Sequence, residues 1–112
     1  MNDLHNLRVF NEARVNVLSI ARLCDQTRRF GDIQNQAKRA AVSVVSNIAE
    51  GNNYGSLAQN RKFFKIARAS NNELYAQALI IGDLNPQVNI DDLTENINYV
   101  GRMLTRLIKN SR

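Results

Sequence analysis

The chain has 112 residues, of which 44% are apolar, with one Pro and no Trp, and its 15 Lys and Arg against 10 Asp and Glu give a net charge of +5. This length suffices for a core without disulfides or metal, so we predict one domain over residues 1–112. The single cysteine excludes an internal disulfide, residues 1–10 lack the basic start and apolar run of a secretory signal, and no apolar run is long enough for a membrane span. We therefore expect a cytoplasmic protein that has no contact with the membrane.

The first predicted helix extends from Asp3 to Arg29. Its apolar residues recur three and four positions apart, as in an amphipathic helix that packs on a core. These residues are Phe10, Ala13, Val17, Ile20, Ala21 and Cys24. Asp3 and the basic residues at the other end suit the positive and negative ends of the helix dipole. Cys24 lies on the apolar stripe, so a buried thiol is expected rather than a reactive one.

A tight connection through Gly31 leads to the second helix, for which Asp32 is the candidate N-cap. At 100° per residue, this helix has one narrow polar stripe and is aliphatic around the rest of its circumference. The stripe contains Gln36, Arg39, Ser43, Ser46, Asn47 and Glu50. A helix with so little polar surface should be buried on more than one side, so the stripe should face protein. Gly51 ends the helix, before a turn at residues 52–55 whose residue types tolerate left-handed backbone angles.

Ser56 and Gln59 form a capping-box pattern at the start of the third helix, which is predicted to extend to Leu84. The short turn before it predicts that helices two and three are antiparallel neighbours. Its inward face should contain Phe63, Ile66, Ala67, Ser70, Leu74, Gln77, Ala78 and Ile81.

The antiparallel register predicts a polar network between these two helices. We expect ion pairs from Arg39 to Glu73 and from Glu50 to Arg61, with hydrogen bonds between them. The hydrogen-bonding residues are Ser43, Asn47 and Ser70. The alternative is that these side chains are solvated separately, but the aliphatic sequence around them favours the network.

Pro86 ends the third helix, and Asn89 or Asp91 is expected to cap the fourth. Alternating three and four residue spacing then indicates a bundle seam. The seam contains Leu93, Ile97, Val100, Leu104 and Leu107. Four amphipathic helices with short connections predict an all-α fold, an antiparallel up-down four-helix bundle.

More apolar residues are present than one bundle is expected to cover. They are Val44, Val45 and Ile48 on helix two and Phe64, Tyr75 and Leu79 on helix three. This surplus predicts a homo-oligomer that buries it.

The cations of helices three and four are the candidate nucleic-acid-binding residues. No acidic residue lies between Gly51 and Asn72, so helix three has the densest positive patch, and helix four has further cations on its far side, for which a solvated helix face is the alternative. The seven cations are Arg61, Lys62, Lys65, Arg68, Arg102, Arg106 and Lys109. Phosphate contacts from these residues predict salt-dependent binding of RNA or DNA. Few aromatic side chains are available for base stacking, which favours duplex or structured nucleic acid over bare single strands.

Residues for catalysis are sparse. The chain has one histidine and one cysteine and no phosphate-binding loop, and His5 has no partner at the spacing of metal ligands. Glu50 and Glu73 are the candidate carboxylate pair, but the antiparallel register separates them and gives each a basic partner. We expect a protein that is not an enzyme and that has no cofactor and no metal.

Three segments carry a family resemblance: QAKRAAVSVVSNIAEG at 36–51, FKIARAS at 64–70, and Glu73 with Leu74. In these segments the chain resembles the four-helix bundle proteins of the 23S rRNA intervening-sequence family. The resemblance implies an antiparallel protomer that assembles into a pentameric ring. It also implies kinship with the accessory variability determinant proteins of diversity-generating retroelements, which bind nucleic acid and partner a reverse transcriptase.

Two functions are therefore expected. One is a non-catalytic, oligomeric scaffold that binds nucleic acid through its basic helix faces as the accessory partner of a reverse transcriptase. The other is a structural or protein-binding oligomer, encoded in an rRNA intervening sequence, that has no nucleic-acid role.

Overall fold

The computed structural model describes residues 4, 7–53 and 56–111. Over these residues the chain forms four α-helices and no strand. The helices are α1 (Arg8–Gln26), α2 (Ile33–Gly51), α3 (Leu57–Leu84) and α4 (Asp91–Asn110). α2 packs on α1 and α3, and α4 packs on α3 and α1, so each helix has two neighbours. The predicted all-α four-helix bundle is confirmed, and no helix among the described residues is long and apolar enough to cross a membrane.

The predicted first helix was too long at both ends. α1 ends at Gln26, and Thr27 continues with an extended backbone. The hydroxyl of Thr27 donates to the carbonyl oxygen of Leu23 at 2.8 Å, which satisfies one of the free carbonyl groups at the end of the helix. Arg28 and Arg29 therefore follow α1 instead of forming its last turn, and Asp3 lies outside the described residues.

The start of α3 agrees with the predicted cap, whereas the start of α4 differs from the prediction. Ser56 Oγ accepts a hydrogen bond from the backbone N–H of Gln59 at 3.4 Å, which is the first bond of the capping box. Asn89 Oδ1 accepts from the backbone N–H of Asp91 at 2.8 Å. Neither candidate occupies the N-cap position of α4, which is Ile90 and has no side-chain capping bond; Asn89 lies one residue before it, and Asp91 is the first residue of the helix.

The core consists of two apolar clusters to which all four helices contribute. One cluster is centred on Ile20, Leu74, Ile81 and Ile97, with the small residues Ala37, Ala40 and Ala41 of α2. The other is centred on Val9, Val44, Ile48, Phe64 and Leu104. In the predicted seam of α4, Ile97, Val100 and Leu104 are fully buried, whereas Leu93 and Leu107 pack at the edges. Complete burial of one such aliphatic side chain stabilises the fold by about 1.5–3 kcal/mol.

The inward face of α3 differs from the prediction at two positions. Phe64 is buried, whereas Phe63 is only half-buried and Ile66 is 40% exposed. Gly51 accounts for this choice, because a Cβ atom at that position would lie 2.6 Å from the ring of Phe64. The ring thus occupies space that only a glycine leaves free. Among the described residues the left-handed backbone is confined to Gly31 (φ 56°), so Gly51 is present for close approach and not for a left-handed turn.

Much of the apolar surplus that predicted an oligomer is covered within one chain. Val44 and Ile48 are 2% and 0% exposed, and Phe64 is buried, so these residues need no second copy. Val45 and Tyr75 are half-buried. The apolar side chains that do face outward include Val15 and Leu18 of α1, Val42 of α2, and Ile66, Leu79, Ile80 and Leu84 of α3.

Candidate nucleic-acid interface

The seven predicted cations all lie at the surface of α3 and α4. Arg61 and Arg68 are half-buried, and the other five are exposed. Within the described part of the chain, the ion pair joins Arg39 to Asp32, and none of the seven cations has a carboxylate partner. Their positive charge is therefore not neutralised inside the protein.

Arg68 and Arg102 meet at a surface groove between α3 and α4, which we call the α3–α4 groove. It has a volume of about 390 Å³, and its other lining residues are Asn72, Asn98, Gly101 and Thr105. Two guanidinium groups beside side-chain amides and a hydroxyl form a set of donors suited to phosphate oxygens.

Helical spacing relates the remaining cations to this groove. Arg61 and Lys65 precede Arg68 by seven and three residues, so they extend its stripe along α3. Lys109 follows Arg102 by seven residues, with the groove residue Thr105 between them. Lys62 and Arg106 fall beside these stripes and are exposed.

The aromatic ring of Tyr99 orients Arg102, one of the two groove cations. The sequence did not predict this contact. The guanidinium carbon of Arg102 lies 5.8 Å from the ring centroid of Tyr99, within the range of a cation–π contact. The hydroxyl of Tyr99 accepts a hydrogen bond from Arg8 Nη1 at 3.3 Å. The spacing of Tyr99 and Arg102 was a signal for this pair, but Arg8 is 91 residues away from Tyr99 along the chain.

Charge is divided along α3 and α4. Residues 57–72 and 96–111 contain the seven cations and no acidic residue, and we call this set of cations the basic half. Residues 73–95 contain five carboxylates and no Lys or Arg, and we call these carboxylates the acidic half. The acidic half consists of Glu73, Asp83, Asp91, Asp92 and Glu95. Opposite charges are thus segregated within one pair of helices.

The neutral part of the predicted polar network is present between α2 and α3. Ser43 Oγ and Ser70 Oγ are hydrogen-bonded at 2.8 Å. Asn47 Nδ2 donates to Ser43 Oγ at 3.2 Å and to the Ser43 carbonyl oxygen at 2.9 Å. The bond between Ser43 and Ser70 therefore joins the two helices, as the sequence predicted, whereas the bonds of Asn47 stay within α2.

The charged part of that network has different partners from those predicted. Arg39 lines a surface groove with Glu73, but its Nη2 bonds Asp32 Oδ2 at 3.0 Å. Asp32 occupies the N-cap position of α2 without making a capping bond, because its carboxylate is engaged by Arg39 and by Asn35 Nδ2 at 3.1 Å. The Asn35 amide and then the Arg39 guanidinium hold the pKa of Asp32 below its ordinary value. A partner seven residues earlier in the chain thus replaces the partner expected across the helix pair.

Glu73 and Glu50, the two carboxylates of the predicted network, have no ion pair within the described residues. Glu73 Oε1 instead accepts a hydrogen bond from Gln77 Nε2 at 3.2 Å, one turn further along α3. Glu50 is exposed near the end of α2. The predicted ion pairs with Arg39 and Arg61 are therefore wrong, and the charged side chains at this surface interact within their own segments.

Cys24, as predicted, is a buried residue of the core. Its thiol lies 3.8 Å from the carbonyl oxygen of Gln34, and burial raises the pKa of the thiol. His5 lies outside the described residues, and within the described ranges no three His, Cys, Asp or Glu side chains are grouped so as to hold a metal ion.

The fold and the surface together define a small four-helix bundle protein with an unneutralised basic face. The family model described as 23S rRNA-intervening sequence protein matches residues 5–106. The chain belongs to the family of 23S rRNA-intervening sequence proteins, since the match covers nearly its whole length. No curated protein and no solved structure matches the chain.

Proposed function

We propose that this protein is a non-catalytic scaffold that binds RNA or DNA through the basic half of α3 and α4. The observation that carries the proposal is the division of charge, with seven cations and no carboxylate over residues 57–72 and 96–111. Cations without an internal partner are free to replace the counterions of a phosphate backbone, and release of those counterions drives binding.

The arrangement that we infer is an antiparallel, up-down bundle. Ser70 of α3 meets Ser43 of α2, whereas Phe64 meets Gly51, so residue numbers fall along α3 as they rise along α2. The same relation links α3 to α4 through the hydrogen bond from Asn71 Nδ2 to the Ile97 carbonyl oxygen and through the approach of Gly82 to Ile90. This arrangement supports the proposal because it brings all seven cations to one end of the helix pair.

Duplex or structured nucleic acid fits this surface better than bare single strands. Residues 57–72 of α3 form a segment of roughly 24 Å at 1.5 Å per residue. That length corresponds to about seven base pairs at about 3.4 Å each, so one protomer reaches only a few phosphates. Guanidinium, amide and hydroxyl donors line the α3–α4 groove, and the aromatic side chain of Tyr99, next to the groove residue Asn98 in sequence, is engaged by Arg102 and Arg8. Binding therefore depends on phosphate contacts and not on stacked bases.

A ring-like homo-oligomer, of five copies by the family resemblance, completes the proposal. Two separate apolar surfaces support it. The first is a groove of about 500 Å³ between α1 and α2 that contains Val15, Leu18, Val42 and Val45. The second is the outer ridge of α3, with Ile66, Ile80 and Leu84. A concave and a convex surface at different places make a head-to-tail contact, which closes into a ring when the rotation allows.

The ring would present several copies of a surface that binds nucleic acid weakly on its own. Each protomer offers only a few phosphate contacts, but several copies on one nucleic acid bind with a higher effective concentration than a single copy.

We further propose a reverse transcriptase as the protein partner, on the resemblance to accessory variability determinant proteins alone. A complex of the two purified proteins that survives nuclease treatment would support this partner, and separate elution would contradict it.

Nucleic-acid binding is tested by titrating duplex RNA and duplex DNA at increasing salt. We expect the affinity to fall steeply, with the logarithm of the binding constant linear in the logarithm of the salt concentration. The triple variant Arg61→Gln, Lys65→Gln, Arg68→Gln should reduce the salt slope by about three and leave the oligomer intact.

The matched control is Arg22→Gln, Arg28→Gln, Arg29→Gln, which removes the same charge from the exposed end of α1 and the connection after it. It should bind almost as well as the wild type. If neither nucleic acid binds at low salt, or if both triple variants weaken binding equally, the proposed interface is wrong, and the structural or protein-binding oligomer becomes the better description. Dissociation of the ring-like oligomer in the first variant would identify its residues as part of the ring interface.

A further inference from the structure

The acidic half has no role in nucleic-acid binding, yet it shares a helix pair with the basic half. Its carboxylates follow the basic residues on α3 and precede them on α4. Asp83, Asp91 and Glu95 are exposed, and none has an ion-pair partner within the described residues. A face with two opposite and unneutralised charges is complementary to itself.

On α3 one pair of opposite charges is symmetric about Asn72. Arg61 lies eleven residues before Asn72, and Asp83 lies eleven residues after it. At 100° per residue these two side chains point within about 40° of each other, so they are on one side of the helix. Lys65 and Leu79 have the same relation to Asn72, and Leu79 is 39% exposed.

On α4 two pairs of opposite charges are symmetric about a point just after Asn98. Glu95 and Arg102 are equally distant from this point, and so are Asp91 and Arg106. Each of these pairs again falls within about 60° on the helix. Asn72 and Asn98 line the same groove, so the centres of charge symmetry on the two helices lie at one level of the bundle.

We propose that a second copy of this chain binds face to face on α3 and α4, about a twofold axis at the level of Asn72 and Asn98. The axis reverses the helix direction, so the basic half of each copy faces the acidic half of the other. Arg61 then faces Asp83, and Arg102 faces Glu95. The remaining matches are Arg106 with Asp91, and the aliphatic stem of Lys65 with Leu79. A twofold axis makes each of these contacts twice.

The face is large enough for a specific contact. The molecule measures 45 × 23 × 18 Å along its principal axes, so each of its long sides covers roughly 800–1,000 Å². A standard interface buries about 800 Å² on each partner. Exposed ion pairs are individually weak and are screened by salt, so this dimer forms at low ionic strength and dissociates as salt rises.

Self-association and nucleic-acid binding exclude each other, a consequence that rests on the proposed function. The twofold contact covers Arg61, Arg102 and Arg106, which are also phosphate-binding candidates. The acidic half of the second copy thus acts as a competitor for the nucleic acid at the same cations.

Sedimentation at about 20 mM and at about 500 mM salt tests the dimer. We expect the sedimenting mass to double at low salt. The variant Asp83→Lys, Glu95→Lys should lose this doubling, and so should Arg61→Glu, Arg102→Glu. An equal mixture of the two variants should restore it, because each variant then meets a copy of opposite charge. The control Asp25→Lys, Glu50→Lys, with the same charge change at exposed sites on α1 and α2, should double as the wild type does.

The proposal is overturned if the mass does not double at low salt, if Asp83→Lys, Glu95→Lys still doubles, or if the mixture of folded variants stays undoubled. Circular dichroism identifies a variant that has not folded. In that case the milder Asp83→Asn, Glu95→Gln takes its place, and unchanged doubling there counts against the dimer. All seven cations remain in Asp83→Lys, Glu95→Lys, so duplex binding by this variant reports on the proposed function separately.

Discussion

The two polar surfaces of α3 differ in where their polar groups find partners. Toward α2, Ser70 is hydrogen-bonded to Ser43, and Asn47 completes that contact. Toward α4, Arg68 and Arg102 line an open groove and have no carboxylate partner within the described residues. The first surface stabilises the fold, because its donors and acceptors satisfy one another. The second keeps its charge available, which is what a ligand surface requires.

Among the substitutions that test this comparison, Gly51→Ala, at the close approach of α2 to α3, is expected to have the largest effect on stability. The new methyl group would lie 2.6 Å from the Phe64 ring, which cannot move without disturbing the core. We expect the free energy of unfolding to fall by about 1–3 kcal/mol, measured by urea titration.

Gly101→Ala, at a position of α4 that approaches α3, is the matched control. Its methyl group would lie 3.2 Å from the Asn71 side-chain amide, which is a milder contact. The gain in helix propensity of about 1 kcal/mol offsets it. An equal loss of stability in both variants would mean that the two sides of α3 are packed equally tightly, contrary to the comparison.

A smaller and more selective effect is expected from Ser70→Ala and Arg68→Gln, two residues apart on α3. Ser70→Ala removes the hydrogen bond to Ser43 and should lower the stability by about 1 kcal/mol without changing the salt slope of duplex binding. Arg68→Gln should reduce that slope by about one and leave the stability nearly unchanged. The comparison is wrong if Ser70→Ala weakens duplex binding or if Arg68→Gln mainly destabilises the fold.

The smallest effect is expected at the ion pair of Arg39 and Asp32, whose side chains are 67% and 54% exposed. Arg39→Met should change the unfolding midpoint very little, because an exposed pair is screened by water and salt. The pKa of Asp32 is lowered in the folded chain, by the Asn35 amide first and then by Arg39. Its small contribution to stability is therefore present above pH 3.8, its ordinary value, and is lost as the pH falls through the lower folded value.

Asp32→Asn isolates this contribution. The unfolding midpoints of wild type and variant should differ slightly at neutral pH and converge below pH 3.8. A wild type that is less stable than Asp32→Asn at neutral pH would reverse the sign, and it would mean that the carboxylate of Asp32 destabilises the fold.

The spacing of apolar residues, together with the residues that start and end helices, predicted most of the helical structure. The third helix was predicted from Ser56 to Leu84, and α3 is Leu57–Leu84. Gly51 is the last residue of α2, as predicted. Local chemistry determines these boundaries, because capping groups and proline act within one or two turns of the chain. The surface positions of the seven cations follow from the same periodicity.

Spacing could not decide which of two adjacent aromatic residues enters the core. Phe63 and Phe64 are one residue apart, and the space left by Gly51 selected Phe64. Nor could spacing choose the partner of Arg39, since Asp32 and Glu73 are both within reach of its long side chain once the helices are assembled. These choices depend on contacts between helices. The spacing of residues along one helix carries no information about such contacts.

The sequence by itself determined four amphipathic helices, their approximate ends and a run of cations without acidic neighbours. Only the tertiary structure decided where buried polar groups find partners. Asn71 donates to the Ile97 carbonyl oxygen on α4, and Asn85, 1% exposed, bonds both the backbone of Arg28 and the Ile81 carbonyl oxygen. An isolated amide in a helix pattern reads as a surface residue. It is accepted in the core when another part of the chain supplies a hydrogen bond, and that partner is in place only after packing.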